Sequence, residues 1–126
     1  IRTGDLLPEV HNFGHVALSG ICRVRGGAVA EEVDAGSRFN LAIAVFNTHR
    51  VLLARVARKG STYRLEQQAD LLVSDDEDFH PTDVLQAPDG SFLVIDTGGW
   101  FRIGCPQSQV AKAHIRGSIW RLRPAA

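Results

Sequence analysis

Pro81-Thr-Asp-Val-Leu-Gln86, Ala87-Pro-Asp-Gly90, Ser91-Phe-Leu-Val-Ile95 and Asp96-Thr-Gly-Gly99 follow one another without a break. The first reads as a strand and the second as a tight turn, in which Pro88 presets φ and Gly90 accepts a positive one. The third is a short apolar run of buried-strand type and the fourth stops it. Gly117-Ser-Ile-Trp-Arg-Leu-Arg123 then alternates, with Ile119 and Arg121 on one face and Trp120 and Leu122 on the other. Trp100 to Arg116 lies between as an insertion, with one turn of helix expected around Val110 to Ala113.

The earlier half uses the same grammar. Ser19 to Arg25 alternates imperfectly until Gly26-Gly27, and Leu41 to Phe46 is a continuous apolar run that ends at Asn47-Thr48. Val51 to Val56 follows, Lys59-Gly60-Ser61 marks a turn, and Thr62 to Leu65 and Leu71 to Val73 read as two further short strands. Ser74 to Asp78 is an acidic connector too polar for a core. Aligning Ile43-Ala-Val-Phe-Asn-Thr48 with Leu93-Val-Ile-Asp-Thr97 exposes an internal repeat of strand, turn, apolar strand and Asn/Asp-Thr stop. Units of this size built from short antiparallel strands are the scale of propeller blades. The expected fold is therefore all-β, a β-propeller segment of two four-stranded blades at about residues 15–74 and 79–123, with the insertion at 100–116. Two blades cannot close a ring, so the remainder is expected from more polypeptide or from copies of the chain.

The chain has 126 residues, 44% hydrophobic and 22% charged, which suits one globular domain and argues against a disordered tail or a disulfide mini-protein. Its apolar runs are far shorter than the roughly 20 residues a bilayer requires, so no membrane span is expected. Fourteen basic and 14 acidic residues cancel, which leaves no field to attract nucleic acid. Charge is nonetheless segregated: every charge from Leu65 to Trp100 is negative, and every later one is positive. Such blocks are expected to lie on neighbouring strands or loops that neutralise one another. There is no methionine, and Ile1 opens the sequence with no basic leader or apolar signal core, so either processing removed the start or this is a piece of something longer. Cys22 and Cys105 begin no haem, zinc or redox motif and read as small buried residues.

Asp78-Phe-His-Pro-Thr-Asp-Val84, Pro88-Asp-Gly90, Leu93-Val-Ile-Asp-Thr-Gly-Gly-Trp-Phe101, Cys105-Pro-Gln-Ser-Gln109 and Gly117-Ser-Ile-Trp-Arg-Leu122 together carry a resemblance. The sequence resembles the last propeller blades of the PVC-type haem-binding proteins, large chains often labelled membrane-bound dehydrogenases. In these a glucose/sorbosone-dehydrogenase-like propeller precedes helical repeats and a cytochrome c domain. Phe46-Asn-Thr-His-Arg50 and His11-Asn-Phe-Gly-His15 are similar to the same family upstream. The resemblance implies an exported, periplasmic or secreted protein with a propeller of about six blades. It also implies descent from sugar or alcohol dehydrogenases that use pyrroloquinoline quinone (PQQ) and calcium. The haem motif belongs to a different domain and is absent here. In the sugar dehydrogenases a histidine five residues before an inner-strand glycine is the base; His15 and Gly20 keep that spacing. Val16-Ala-Leu-Ser19 departs from the Arg-Asn-Pro pattern between them.

Propellers place functional residues where inner strands open onto the central channel. The rim candidates here are His11, His15, Asn47, His49, His80, Asp83 and Asp96. An imidazole takes a proton from an alcohol near neutral pH, as hydride transfer to a quinone requires, so His15 is the catalytic candidate and the others are candidates for contacting a sugar or alcohol. Trp100, after Gly98-Gly99, is a candidate stacking platform for a sugar ring. Plainer readings stand beside these: Asp83 accepting backbone N–H groups across the junction between blades, and Asn47 and Asp96 capping equivalent turns. His80 and Asp83 are three apart on an extended approach and point to opposite faces, which disfavours a shared metal. Asp75-Asp-Glu-Asp78 lacks the alternating arrangement of a calcium loop. The functional alternatives are a dehydrogenase-like propeller segment, active or inactive, and a non-catalytic carbohydrate- or protein-binding module that closes a ring by homo-oligomerisation.

Overall fold

A computed structural model of the chain describes residues 4, 8–26, 37–99, 112 and 114–125. Within these, the strands are β1 (Leu18–Arg23), β2 (Arg38–Val45), β3 (Arg50–Lys59), β4 (Thr62–Val73), β5 (Pro81–Gln86), β6 (Phe92–Asp96) and β7 (Ser118–Leu122). A single 3-10 turn, Phe46–Thr48, joins β2 to β3. The fold is all-β, as the alternation predicts. The strands form two antiparallel meanders, one of four in the order β1-β2-β3-β4 and one of three in the order β5-β6-β7. Among the described residues no helix is long and apolar enough to cross a membrane.

β4 is one strand of 12 residues, where two short ones separated by a polar gap are expected from the sequence. Gln67 to Asp70 stays extended because it pairs with β3, whose Leu52 to Arg55 lie opposite Asp70 to Gln67, while Glu66 occupies a bulge between two pairs of the same ladder. Most of that stretch is exposed on an outer strand, where polarity is no obstacle to a ladder. Arg50 meets Asp70 at 3.3 Å and Arg38 meets Glu66 at 3.1 Å, so two acids of the negative block are neutralised by upstream arginines.

The sheets stack face to face. Pairing puts Gly20, Cys22, Ala42, Ala44, Val51 and Leu53 on one face of the first sheet, its front. Val84, Phe92, Val94, Trp120 and Leu122 share the back of the second sheet. These two faces enclose the main core, in which Ala42, Ala44, Val51, Val84 and Val94 are fully buried. A smaller cluster of Ile43, Val45, Leu52 and Ala54 lies on the back of the first sheet, partly covered by Phe13 and Val16 of the N-terminal segment.

β5 packs across β1 and β2, and it lies over β1 in register. Ser19 Oγ donates to the Pro81 carbonyl at 2.8 Å, Gly20 abuts Asp83, and the Arg25 N–H donates to Gln86 Oε1 at 2.6 Å. The two strands also carry the same irregularity. The register slips at Ser19 in β1 and at Thr82 in β5. Each hydroxyl donates to the neighbouring strand, Ser19 to Ala44 and Thr82 to Ile95, at 3.3 Å in both cases. A bulge is a placed feature of a strand, so its recurrence at the same point marks the sheets as structural repeats.

Candidate functional site

The starts of β1, β3, β5 and β7 and the ends of β2, β4 and β6 share one rim of the stack. His15, Asn47, His49, His80 and Asp96 all lie along it. A repeated clamp organises this rim. Asn47, just past the end of β2, accepts the N–H of Ala17, the residue before β1, at 2.8 Å. Asp96, at the end of β6, accepts the N–H of His80, the residue before β5, at 2.9 Å. The carbonyls of those two residues accept in turn, Ala17 from the Phe46 N–H at 2.9 Å and His80 from the Thr97 N–H at 3.1 Å. Asn47 Nδ2 also reaches the His15 carbonyl at 3.3 Å, which ties down the entering chain.

Two residues past each clamping side chain the backbone turns left-handed, at His49 with φ 55° and at Gly98 with φ 60°. Gly98 is required: a Cβ there would stand 2.6 Å from the Arg116 carbonyl oxygen. His49 bears roughly 1 kcal/mol or more of backbone strain. It is held by its own side chain, with Nδ1 lying 2.7 Å from the Phe79 carbonyl on the connector to the second sheet. His80 is buried, and its Nδ1 faces two carbonyls, Gly98 at 2.8 Å and Asp78 at 3.0 Å. An acceptor opposite Nδ1 requires a proton on it, so both histidines carry hydrogen there and donate to main chain. Their rings meet edge to face at 5.3 Å, and Phe46 lies 4.8 Å from His80.

Asp96 is the most heavily used side chain of the rim. It is 8% exposed; Oδ1 accepts from the His80 and Gly98 N–H groups and Oδ2 from Trp120 Nε1, at 2.9, 2.8 and 3.1 Å. The side chains of the remaining candidates stand apart from the clamps. His15 is exposed on the N-terminal segment, and His11 is exposed with its ring 4.7 Å from Phe13. Asp83 accepts the N–H of its own neighbour Val84 at 2.8 Å, a local bond in place of the expected one across the junction. Trp100 and most of the insertion, including its expected helical turn and Cys105, lie outside the described residues. Lys112 of the insertion bonds Asp78 at 2.8 Å, which joins the positive and negative blocks and raises the lysine pKa. Among the described residues no three His, Cys, Asp or Glu side chains converge as a metal site would need.

Beside this rim a cleft of about 240 Å³ opens between the sheets. Leu72 and Val73 of β4, Phe79 of the connector, and Trp120 and Leu122 of β7 supply its apolar walls, with Asp76 and Asp96 as the acids. Sequence reasoning places Trp120 on an alternating strand and misses it as a site residue. The available signal is that Trp120 falls on the same face as Leu122, so its Nε1 enters the core side and needs an acceptor.

Cys22 lines the front of the first sheet. Burial pushes its thiol above the ordinary value, backbone bonds from Gln86 and Ala42 oppose the rise, and the Asp83 charge adds to it. A raised value means that the fold favours the protonated thiol. Its stabilisation is therefore present below the ordinary thiol pKa of about 8.5 and is lost as pH climbs through the folded value. In a Cys105→Ser background, iodoacetamide is expected to label Cys22 more slowly in the folded chain than in urea. The urea midpoint is expected to fall as pH is raised above about 8.5, and a pH-independent midpoint in that range would contradict this assignment.

Comparison with protein-family models, with curated proteins and with solved structures gave no match to this chain.

Proposed function

We propose that the two sheets are consecutive blades of a larger β-propeller, a segment of an exported quinoprotein sugar- or alcohol-dehydrogenase-like ring, and that its role is framework rather than chemistry. One observation carries the reading. At two pairs of equivalent positions the member at the junction between the sheets is buried and the member on an outer face is exposed. Ile21 of β1 and Val84 of β5 hold the same strand position and both face backwards; Val84, against the first sheet, is 0% exposed and Ile21 is 60% exposed. Val51 of β3 and Ile119 of β7 both face forwards, at 0% and 70%. At these positions the front of the second sheet presents what the front of the first buries, and the back of the first presents what the back of the second buries; the rest of that back is covered in part by the N-terminal segment over Ile43, Val45, Leu52 and Ala54. A contact of this kind is heterologous, and it builds a ring where its rotation closes. The connector supports the same order, since it leaves the fourth strand of one sheet and enters the strand that overlies β1.

The framework role is supported by the employment of the rim. Asn47, His49, His80 and Asp96 all spend polar atoms on main-chain groups, which leaves His15 as the base candidate that the resemblance implies. Export follows from the same resemblance. The exposure pattern equally suits copies of this chain supplying the missing blades, which is the second reading. Sedimentation separates the two: the chain alone forming a closed ring of several copies favours the second, and a monomer that is captured only by neighbouring blades favours the first. In either case Ile119→Asp together with Ile21→Asp is expected to abolish association while leaving the circular dichroism of the chain unchanged. Association that survives both charges would refute the reading. If the ring once assembled oxidises aldoses with PQQ and calcium, and His15→Gln removes that turnover, the framework role is wrong while the propeller stands.

A further inference from the structure

Asp96 carries a charge that no cation among the described residues neutralises. Its three partners, the His80 and Gly98 N–H groups and Trp120 Nε1, are neutral donors that solvate a carboxylate without cancelling it. The cations of this rim are engaged elsewhere: Lys112 bonds Asp78 at 2.8 Å and Arg50 meets Asp70 at 3.3 Å. The rings of His49 and His80 face main-chain carbonyls. The matching clamp of the first sheet is made by Asn47, a neutral amide exposed to water, so only the clamp beside the cleft is charged. Asp96 Oδ2 takes one donor where a carboxylate oxygen has room for two, and the residue lines the cleft although it is 8% exposed. A buried charge without a counter-charge is costly, and a cation brought into the cleft relieves that cost.

The other walls select the rest of the ligand. Leu72, Phe79, Trp120 and Leu122 are aliphatic or aromatic, and tryptophan is the side chain that best receives a cation on its ring face. Asp76 is a second acid on the cleft; its Oδ1 accepts the Asp78 N–H at 2.9 Å, and Lys112 senses its charge less than those of Asp78 and Glu77. A cavity of roughly 150 Å³ holds benzene, so a cleft of about 240 Å³ has room for such a ring and a short chain. An anion is repelled by both acids, and a neutral ligand leaves the charge on Asp96 uncompensated. We propose that the cleft binds a small arylalkyl ammonium, its head donating to Asp96 and facing Asp76, its ring among Leu72, Phe79 and Trp120. Such a site goes beyond the framework role and requires neither a ring of blades nor the dehydrogenase resemblance.

The test is a titration of the chain with phenethylamine, followed by the NMR signals of the His80 and Gly98 amides and of the Trp120 indole N–H, the last assigned by comparison with Trp100→Phe. Phenethylamine is expected to move these signals saturably. Phenethyl alcohol, of nearly the same shape but uncharged, should bind about tenfold more weakly, and phenylacetate should not bind. Asp76→Asn, an exposed change that keeps an acceptor for the Asp78 N–H, should weaken the amine about threefold and leave the alcohol unaltered. Asp96→Asn should erase the preference for amine over alcohol. Because that variant also loosens the rim, the three ligands on the unaltered chain and on Asp76→Asn decide the matter without it. Equal affinity for amine and alcohol, binding of phenylacetate, an equal loss of amine and alcohol in Asp76→Asn, or no saturable shift would each overturn the proposal. None of these readings involves association, so a failure of ring assembly leaves them unchanged and their failure leaves the propeller reading standing.

Discussion

Asp96→Ala is expected to destabilise the chain by about 3–5 kcal/mol, read as a fall in the urea midpoint, because it strands two buried donors and one half-buried donor at once. The His80 and Gly98 N–H groups and Trp120 Nε1 all point at this one carboxylate, in a position too enclosed for water to replace it freely. Asn47→Ala removes the counterpart side chain from the first sheet and should cost only about 1 kcal/mol, since Asn47 is exposed and water reaches the freed Ala17 N–H. Asp96→Asn keeps one acceptor oxygen but turns an NH2 group toward a donor, and should fall between the two. Trp120→Phe releases only one of the three bonds. Should Asp96→Ala prove no more damaging than Asn47→Ala, the carboxylate would not be the keystone of the rim.

The second large effect concerns Gly20. A Cβ at this position would stand 2.6 Å from Asp83 Cα and 2.9 Å from the Thr82 carbonyl oxygen, besides colliding with the Asp83 carboxylate. Two of those three obstacles are backbone and cannot rotate away, so β1 and β5 would have to part. Gly20→Ala is expected to cost about 1–2 kcal/mol and Gly20→Val about 3 kcal/mol. Chemical denaturation with paired variants isolates the cause. Asp83→Ala clears only the carboxylate, so the double variant Gly20→Ala/Asp83→Ala should not recover the stability of Asp83→Ala alone. Full recovery would mean that the side chain, and not the approach of the two backbones, sets the requirement for glycine.

The elements most visible in the sequence were those whose signal is local. The apolar runs of β2 and β6, the Pro88-Asp-Gly90 turn and the Asn/Asp-Thr stops mark positions that the structure uses in equivalent ways. Continuity of β4 was not visible, because Gln67 to Asp70 owes its extended form to the ladder with β3 rather than to its own composition. Asn47, His49, His80 and Asp96 come together at one rim because they sit at strand ends of the same polarity, which the strand pattern makes legible; His11 and Asp83 do not join them. How the four are employed was not legible. Hydrogen bonds such as His49 to Phe79 and Trp120 to Asp96 join residues far apart in the chain, and no periodicity encodes them. The close approach at Gly20 is hidden for the same reason, as its partner lies on a different sheet.

The opposite edge of the stack is built on another principle. There the β3–β4 and β5–β6 reversals turn at Gly60 and Gly90, each with positive φ, and the side-chain bonds at the tips stay within a few residues, Arg58 to Gly60 and Asp89 to Ser91, with Gln86 at the end of β5 reaching Arg25 and Gly26 from below the tip. A change at one of these hairpin tips is therefore answered by its own hairpin, whereas a change at Asn47 or Asp96 is transmitted to the segment by which the chain enters that sheet. Sequence drift, splice points and inserted loops have a permissive side of the molecule on which to accumulate, and the side bearing the clamps must vary in concert or hardly at all.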